Sequence, residues 1–133
     1  MTLLDTHLWL WWLLGSQHLP ARERTALDRL GARGKVRLAA VSLWEAQMLH
    51  AKGRLTLDRA FDVWIREAAA VGVVEIVPLD VEVVIALVDL PVTFHGDPAD
   101  RLIVATARAH RLRLATHDRA VRRSRLTTLW SAR

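Results

Sequence analysis

Residues 73–90 read VVEIVPLDVEVVIALVDL, and the change of pattern at Pro78 decides the fold class. Val73 to Val77 is a short apolar run without helical period, the form of a strand covered on both faces. Pro78 and Asp80 then start a helix in which Val81, Val84, Ile85 and Val88 recur at i, i+3, i+4 and i+7. That spacing predicts one apolar stripe turned to a core, ended by Pro91.

Outward from this unit the alternation repeats. Thr2 to Asp5, Val36 to Val41 and Leu112 to Thr116 are further short apolar runs, separated by longer segments with helical spacing. Phe61, Trp64, Ile65 and Ala68 form one stripe, and Pro20 opens a helix to about Ala32 that Gly31 and Gly34 close. Strands alternating with helices predict a parallel sheet covered on both faces. Leu126 to Trp130 is a candidate last edge strand. Trp9, Trp11 and Trp12, crowded behind the first strand, are read as core or subunit-contact residues rather than a base-stacking platform.

With 133 residues, 52% of them hydrophobic, the chain has material for one substantial core, so a single domain over residues 1–133 is expected. It has no cysteine, which excludes a disulfide framework and thiolate zinc sites. The apolar run Leu8 to Leu14 is far shorter than the ~20 residues that span a bilayer. It also lacks the basic start and small-residue end of a secretory signal, so a cytoplasmic protein without a membrane role is expected. Net charge is +5, and residues 98–133 carry nine Arg against Asp100 and Asp118, which leaves the rest mildly acidic. A basic segment beside a few acids suits a polyanion held by its phosphates.

In open α/β sheets ligands bind beyond the carboxyl ends of strands, which singles out the acids placed there. Asp5 ends the first strand, where a half-buried carboxylate is costly without a cation. In VSLWEA, residues 41–46, Ser42 and Glu45 have the spacing of a capping box, with Ser42 as N-cap and Glu45 at N3. The same turn would aim Glu45 at the edge where Asp5 ends. In HGDPADRLIVATA, residues 95–107, Asp97 reads as an N-cap with Pro98 at N1, and Asp100 at N3 is the better ligand. Asp118 follows the fourth strand in LATHDRA, residues 114–120, where a turn or N-cap is the competing explanation. Four acids at one sheet edge exceed what capping needs. Crowded carboxylates hold protons unless a divalent cation neutralises them, and oxygen-only ligands favour Mg²⁺ or Mn²⁺ over zinc.

LLDTHLWLWWL at 3–13, VSLWEA with KGRL at 52–55, FHGDPADRLIVATA at 94–107 and LATHDRAV at 114–121 together resemble the PIN-domain family, specifically the VapC-type toxins of bacterial toxin–antitoxin pairs. The resemblance covers nearly the whole chain in order. It implies a three-layer α/β/α fold with a parallel sheet of about five strands, Mg²⁺-dependent endoribonuclease activity, dimerisation and inhibition by a cognate antitoxin. Residue by residue it marks Asp5, Glu45, Asp100 and Asp118 as catalytic and metal-holding acids, with Asp97 as a nearby fifth ligand. Thr116, His117, Arg119 and Arg101, which flank these acids, are the expected contacts to RNA, and no cofactor beyond the metal is expected. Relatives usually carry an aromatic where Ala99 stands and a Lys in the helix after Glu45, where this chain has Met48 and Leu49.

Other readings fit less well. A receiver domain needs an acidic pair after the first strand, and a dehalogenase-type phosphatase needs Asp-x-Asp, which Asp5-Thr6-His7 is not. Metal-free cleavage by His7, His95 or His117 as general acid and base is the sharper rival. A PIN-like module that only binds RNA or protein is the third, but binding gives no reason to keep four mutually repelling acids.

Overall fold

The computed structural model describes residues 1–94 and 96–132. Strands β1 (Thr2–Leu4), β2 (Val36–Ala39), β3 (Glu75–Val77) and β4 (Arg113–Ala115) form a wholly parallel sheet in the order β3-β2-β1-β4. Between β1 and β2 lie α1 (Thr6–Leu13) and α2 (Ala21–Ala32), and α3 (Ala40–Ala51) and α4 (Phe61–Ala68) follow β2. The chain crosses from β3 to β4 through α5 (Val81–Val88) and α6 (Pro98–Ala109), and α7 (Arg119–Ser124) follows.

Alternation along each strand sends side chains to two separate cores. Leu4, Val36, Leu38 and Ala115 pack with Leu8, Trp9, Leu27 and Trp64 on one face of the sheet. Leu3, Ala39, Val77 and Leu114 pack with Val83, Ile103, Val104 and Val121 on the other. This is the expected three-layer arrangement, and it explains why the strands read as short, mainly apolar runs, with the charged Arg37, Glu75 and Arg113 at their less buried positions. Trp9 is fully buried and donates its indole N–H to the Ala68 carbonyl at 3.2 Å, so it is a core residue as expected.

Topology sets the working edge. β2 and β3 extend to one side of β1, and β4 returns to the other, so chain order reverses between β1 and β4. In register, Leu4 faces both Leu38 and Ala115, so three strands end level with one another. A crevice at such a reversal is where open α/β sheets bind ligands.

Four expectations need correction. The segment 126–130 forms a single parallel bridge from Leu129 to Leu114 rather than a strand, so the sheet has four strands among the described residues instead of about five. Gly31 lies inside α2 rather than after it. A Cβ there would come within 3.1 Å of the Trp12 ring, so this glycine is a point of close packing, and Gly34, at φ +66°, is the left-handed stop. The apolar stripe of α5 faces outward: Val81, Val84, Ile85 and Val88 are 72%, 47%, 52% and 78% exposed, whereas Val83 is buried against α6. Periodicity could not choose the face, because within VEVVIALV only Glu82 is polar. The capping box fails too, for a reason that belongs to the site below. As the sequence spacing suggested, no helix is long and apolar enough to cross a membrane among the described residues.

The orientation of α5 can be checked by an isosteric pair. Val83→Thr, which buries a hydroxyl, should lower unfolding stability by about 1–3 kcal/mol, and Val88→Thr should stay within about 0.5 kcal/mol of wild type. Urea midpoints of the two variants measure both.

Candidate active site at the carboxyl edge of the sheet

β1 ends at Leu4, and Asp5 begins a new element while still paired to the sheet. Its backbone N–H donates to the Ala115 carbonyl at 3.0 Å. Its extended backbone makes it the N-cap of α1, with Oδ1 accepting the Leu8 N–H at 2.9 Å. The other carboxylate oxygen accepts the hydroxyl of Thr116, the first residue after β4. Thr116 is buried, and its Oγ1 also accepts the Asp118 N–H at 3.0 Å, so one hydroxyl joins the ends of β1 and β4. Asp118 in turn caps α7 by accepting from the Val121 N–H at 2.9 Å.

A second relay fixes Glu45. Strand β2 passes into α3 without a loop, with Ala39 as N-cap, so Ser42 sits inside the first turn and cannot cap it. This overturns the capping box. The buried Ser42 hydroxyl lies 2.8 Å from that of Thr6, and Thr6 donates its own hydrogen to the Glu45 carboxylate. Since Thr6 has one hydrogen to give, Ser42 donates to Thr6 and the relay runs Ser42, Thr6, Glu45. Sequence reading missed Thr6 and misassigned Ser42. The available signal was a threonine directly after the strand-end acid, level with a serine one turn before the next.

The acids sense each other's charge. Burial pushes the Asp5 carboxyl above its ordinary range against the opposing hydrogen bonds from Thr116 and Leu8, and the negative charge of Asp118 adds to the rise. Burial likewise raises Glu45, opposed by the Thr6 hydroxyl, with the charges of Asp97 and Asp5 adding to it. Asp97 caps α6 by accepting the N–H groups of Ala99 at 2.9 Å and Asp100 at 3.1 Å, and Asp100 is half-buried in the same first turn. Among the described residues no three acids or histidines converge closely enough to hold an ion as they stand. Asp5, Glu45, Asp97 and Asp118 each accept from a nearby N–H or hydroxyl.

The flanking residues divide. His117 is exposed at the edge, its Nε2 2.7 Å from Glu23 Oε1, and Arg119 is exposed at the start of α7. Arg101 instead holds the segment before α6, donating Nη1 to the carbonyls of Phe94 at 3.0 Å and Pro91 at 3.3 Å. His7 is exposed, and its positive charge would favour ionised Asp5 and Glu45. His95 lies outside the described residues.

A wholly parallel sheet that carries Asp5, Glu45 and Asp118 just beyond its strand ends, at its point of reversal, defines an α/β protein with an acidic ligand-binding edge. The PIN-domain profile matches residues 2–125, and the chain belongs to the PIN-domain family. It is 36% identical over 132 residues to Ribonuclease VapC22 of Mycobacterium tuberculosis (strain ATCC 25618 / H37Rv), a match covering 96% of this chain and 97% of that protein. Its fold is similar to one in the crystal structure of VapBC2 from Rickettsia felis bound to a DNA fragment from their promoter, with TM-score 0.73, 16% identity, and 97% and 96% of the two chains covered. FitAcB from Neisseria gonorrhoeae is similar at TM-score 0.69 and 22% identity, over 99% of this chain and 98% of that one.

The raised Asp5 carboxyl has a consequence for stability. Between the ordinary carboxylate range and its raised folded value the folded state binds the extra proton, so stability falls as pH rises through that window. Asn caps a helix as well as Asp does. Asp5→Asn without added metal should therefore melt above wild type at neutral pH, and the gain should vanish below the ordinary carboxylate range. Melting curves across pH test this.

Proposed function

We propose that the chain is a divalent-metal-dependent endoribonuclease and the toxin of a toxin–antitoxin pair, with Asp5, Glu45, Asp100 and Asp118 carrying the chemistry. The observation that carries this reading is the buried Asp5 carboxylate, fixed at the junction of β1 and β4 within reach of the charges of Asp118 and Glu45. The ribonuclease relative, similar over almost its whole length, supports the substrate class.

These residues fit a hard divalent cation, because every donor is oxygen and two of the acids, Asp5 and Glu45, are held above their ordinary range by burial and by the charge of neighbouring acids. Asp5, Glu45, Asp100 and Asp118 would hold it, with Asp97 beside Glu45. Mg²⁺ or Mn²⁺ bound there supplies charge neutralisation and an activated water. The chain's own contribution is orientation. Thr116 fixes the Asp5 carboxylate and the turn carrying Asp118, and the Ser42–Thr6 relay fixes Glu45. Arg119, exposed at the start of α7, would meet a phosphate of the substrate.

Cleavage of RNA should stop in excess chelator and return with Mg²⁺ or Mn²⁺. Asp5→Asn and Asp100→Asn should each lower the rate by about a hundredfold or more, and His7→Ala and His117→Ala by far less. Hydrolysis by water leaves a 5′-phosphate and a 3′-hydroxyl, so the downstream fragment should ligate directly. A 2′,3′-cyclic phosphate with activity intact in Asp100→Asn would move the chemistry to the histidines. Growth arrest on expression, relieved by a co-expressed antitoxin, checks the toxin reading.

The outward stripe of α5 supports a homodimer, since four apolar side chains at helical spacing form a contiguous exposed patch that can pair with itself across a two-fold axis. Ile85→Glu, at an exposed position, should leave the fold intact and shift the sedimenting species from dimer to monomer.

A further inference from the structure

We infer that the RNA nucleotide beside the scissile phosphate docks in a cleft between the start of α2, the turn from β4 into α7, and residues 130–132. This inference rests on the ribonuclease reading. The cleft has a volume of about 460 Å³ and is lined by Pro20, Arg22, Glu23, His117, Arg122 and Trp130, with residues 131 and 132 at its rim. That is within the range of pockets that hold a small polar ligand such as a nucleotide.

The cleft is tied directly to the acid edge. Arg122 donates Nη1 to the Thr116 carbonyl at 2.9 Å, and the hydroxyl of that same threonine is bonded to Asp5. Arg22 donates Nε to the Ala132 carbonyl at 3.2 Å. Each guanidinium is thus anchored to backbone by one nitrogen, and its remaining donors have no acceptor among the described residues. A guanidinium held in this way is preorganised to bind a phosphate oxygen through its planar fork.

The other wall offers ring faces. His117, which separates Thr116 from Asp118 in sequence, reaches into the cleft and is steadied by Glu23. The Glu23 carboxylate is thereby paired, so the two arginines keep the lining positive. Behind His117 the Trp11 ring lies 5.9 Å away, and Trp11 is flanked in turn by His18 at 5.4 Å and His7 at 6.1 Å. Unlike Trp9, Trp11 is only half-buried. Single-stranded RNA is recognised by stacking unpaired bases on such rings while basic groups hold the backbone. In the cleft itself the His117 ring and the Arg22 and Arg122 guanidiniums supply these two elements, and His117 is adjacent in sequence to Asp118, while Trp11 backs His117 from outside the lining.

The test uses the Asp5→Asn chain in excess chelator, so that the RNA is not cut during the measurement, and a short fluorescent single-stranded RNA of randomised sequence. Adding Arg22→Ala should weaken binding about tenfold and flatten the dependence of log affinity on log salt by about 0.7. Arg22→Lys should restore the salt slope, and Arg29→Ala, at an exposed position of α2 outside the cleft, should change neither quantity. In the wild-type background Arg22→Ala should raise KM and leave kcat unchanged. Equal effects of Arg22→Ala and Arg29→Ala, or no binding of the RNA by the Asp5→Asn chain, would overturn the assignment. Failure of the ribonuclease reading looks different: wild type would leave the RNA uncut in Mg²⁺ while the Arg22 dependence of binding is still decided.

Discussion

β1 is hydrogen-bonded on both sides, to β2 and to β4, and this double pairing places everything else in the molecule. The ladder to β4 continues one residue past the strand, through the Asp5 N–H to the Ala115 carbonyl. Asp5 therefore cannot swing away from Thr116, and its carboxylate receives the threonine hydroxyl as a consequence of strand register. A parallel sheet sends all its carboxyl ends to one edge, so residues far apart in sequence are delivered there together.

Capping and chemistry are compatible roles at this edge. Asp5, Asp97 and Asp118 all accept first-turn N–H groups of α1, α6 and α7. Those N–H groups and the aligned peptide dipoles favour negative charge at a helix start, which partly offsets the loss of water. For Asp5 the offset is incomplete and burial dominates, leaving an acid that gains from a cation. Glu45 has no such cap. Its orientation comes from two buried hydroxyls, and a buried hydroxyl is retained in a core only when it is hydrogen-bonded, so Ser42 and Thr6 hold each other as well as the glutamate.

Beyond this edge the surface separates by chemistry. Apolar side chains gather on the outer face of α5, which packs its inner face on α6. Arginines gather in the last third of the chain, where Arg122 braces the Thr116 carbonyl and Arg108 donates to the Leu126 carbonyl at 2.6 Å. These arginines act as struts through one nitrogen while keeping charge at the surface, something a lysine's single ammonium does poorly. A strut and a phosphate contact are therefore not competing assignments for the same guanidinium.

Local sequence determined much of this protein. Short, mainly apolar runs without helical period marked all four strands, Asp80 and Asp97 marked helix starts, and Asp5 and Asp118 stood out because they lie one and three residues past the ends of β1 and β4. Those features depend on nearest-neighbour sterics and hydrogen bonding, which a linear pattern records. Tertiary structure alone decided the rest. Which face of α5 is buried could not be read from an almost wholly apolar helix, because only the approach of α6 distinguishes its sides. Ser42 looked like a cap until the loop-free passage from β2 started α3 three residues earlier and brought the Thr6 hydroxyl to it. Arg22, Glu23 and Trp130 carried no local signal either, since the cleft they share with His117 exists only where α2, the β4–α7 turn and the end of the chain meet.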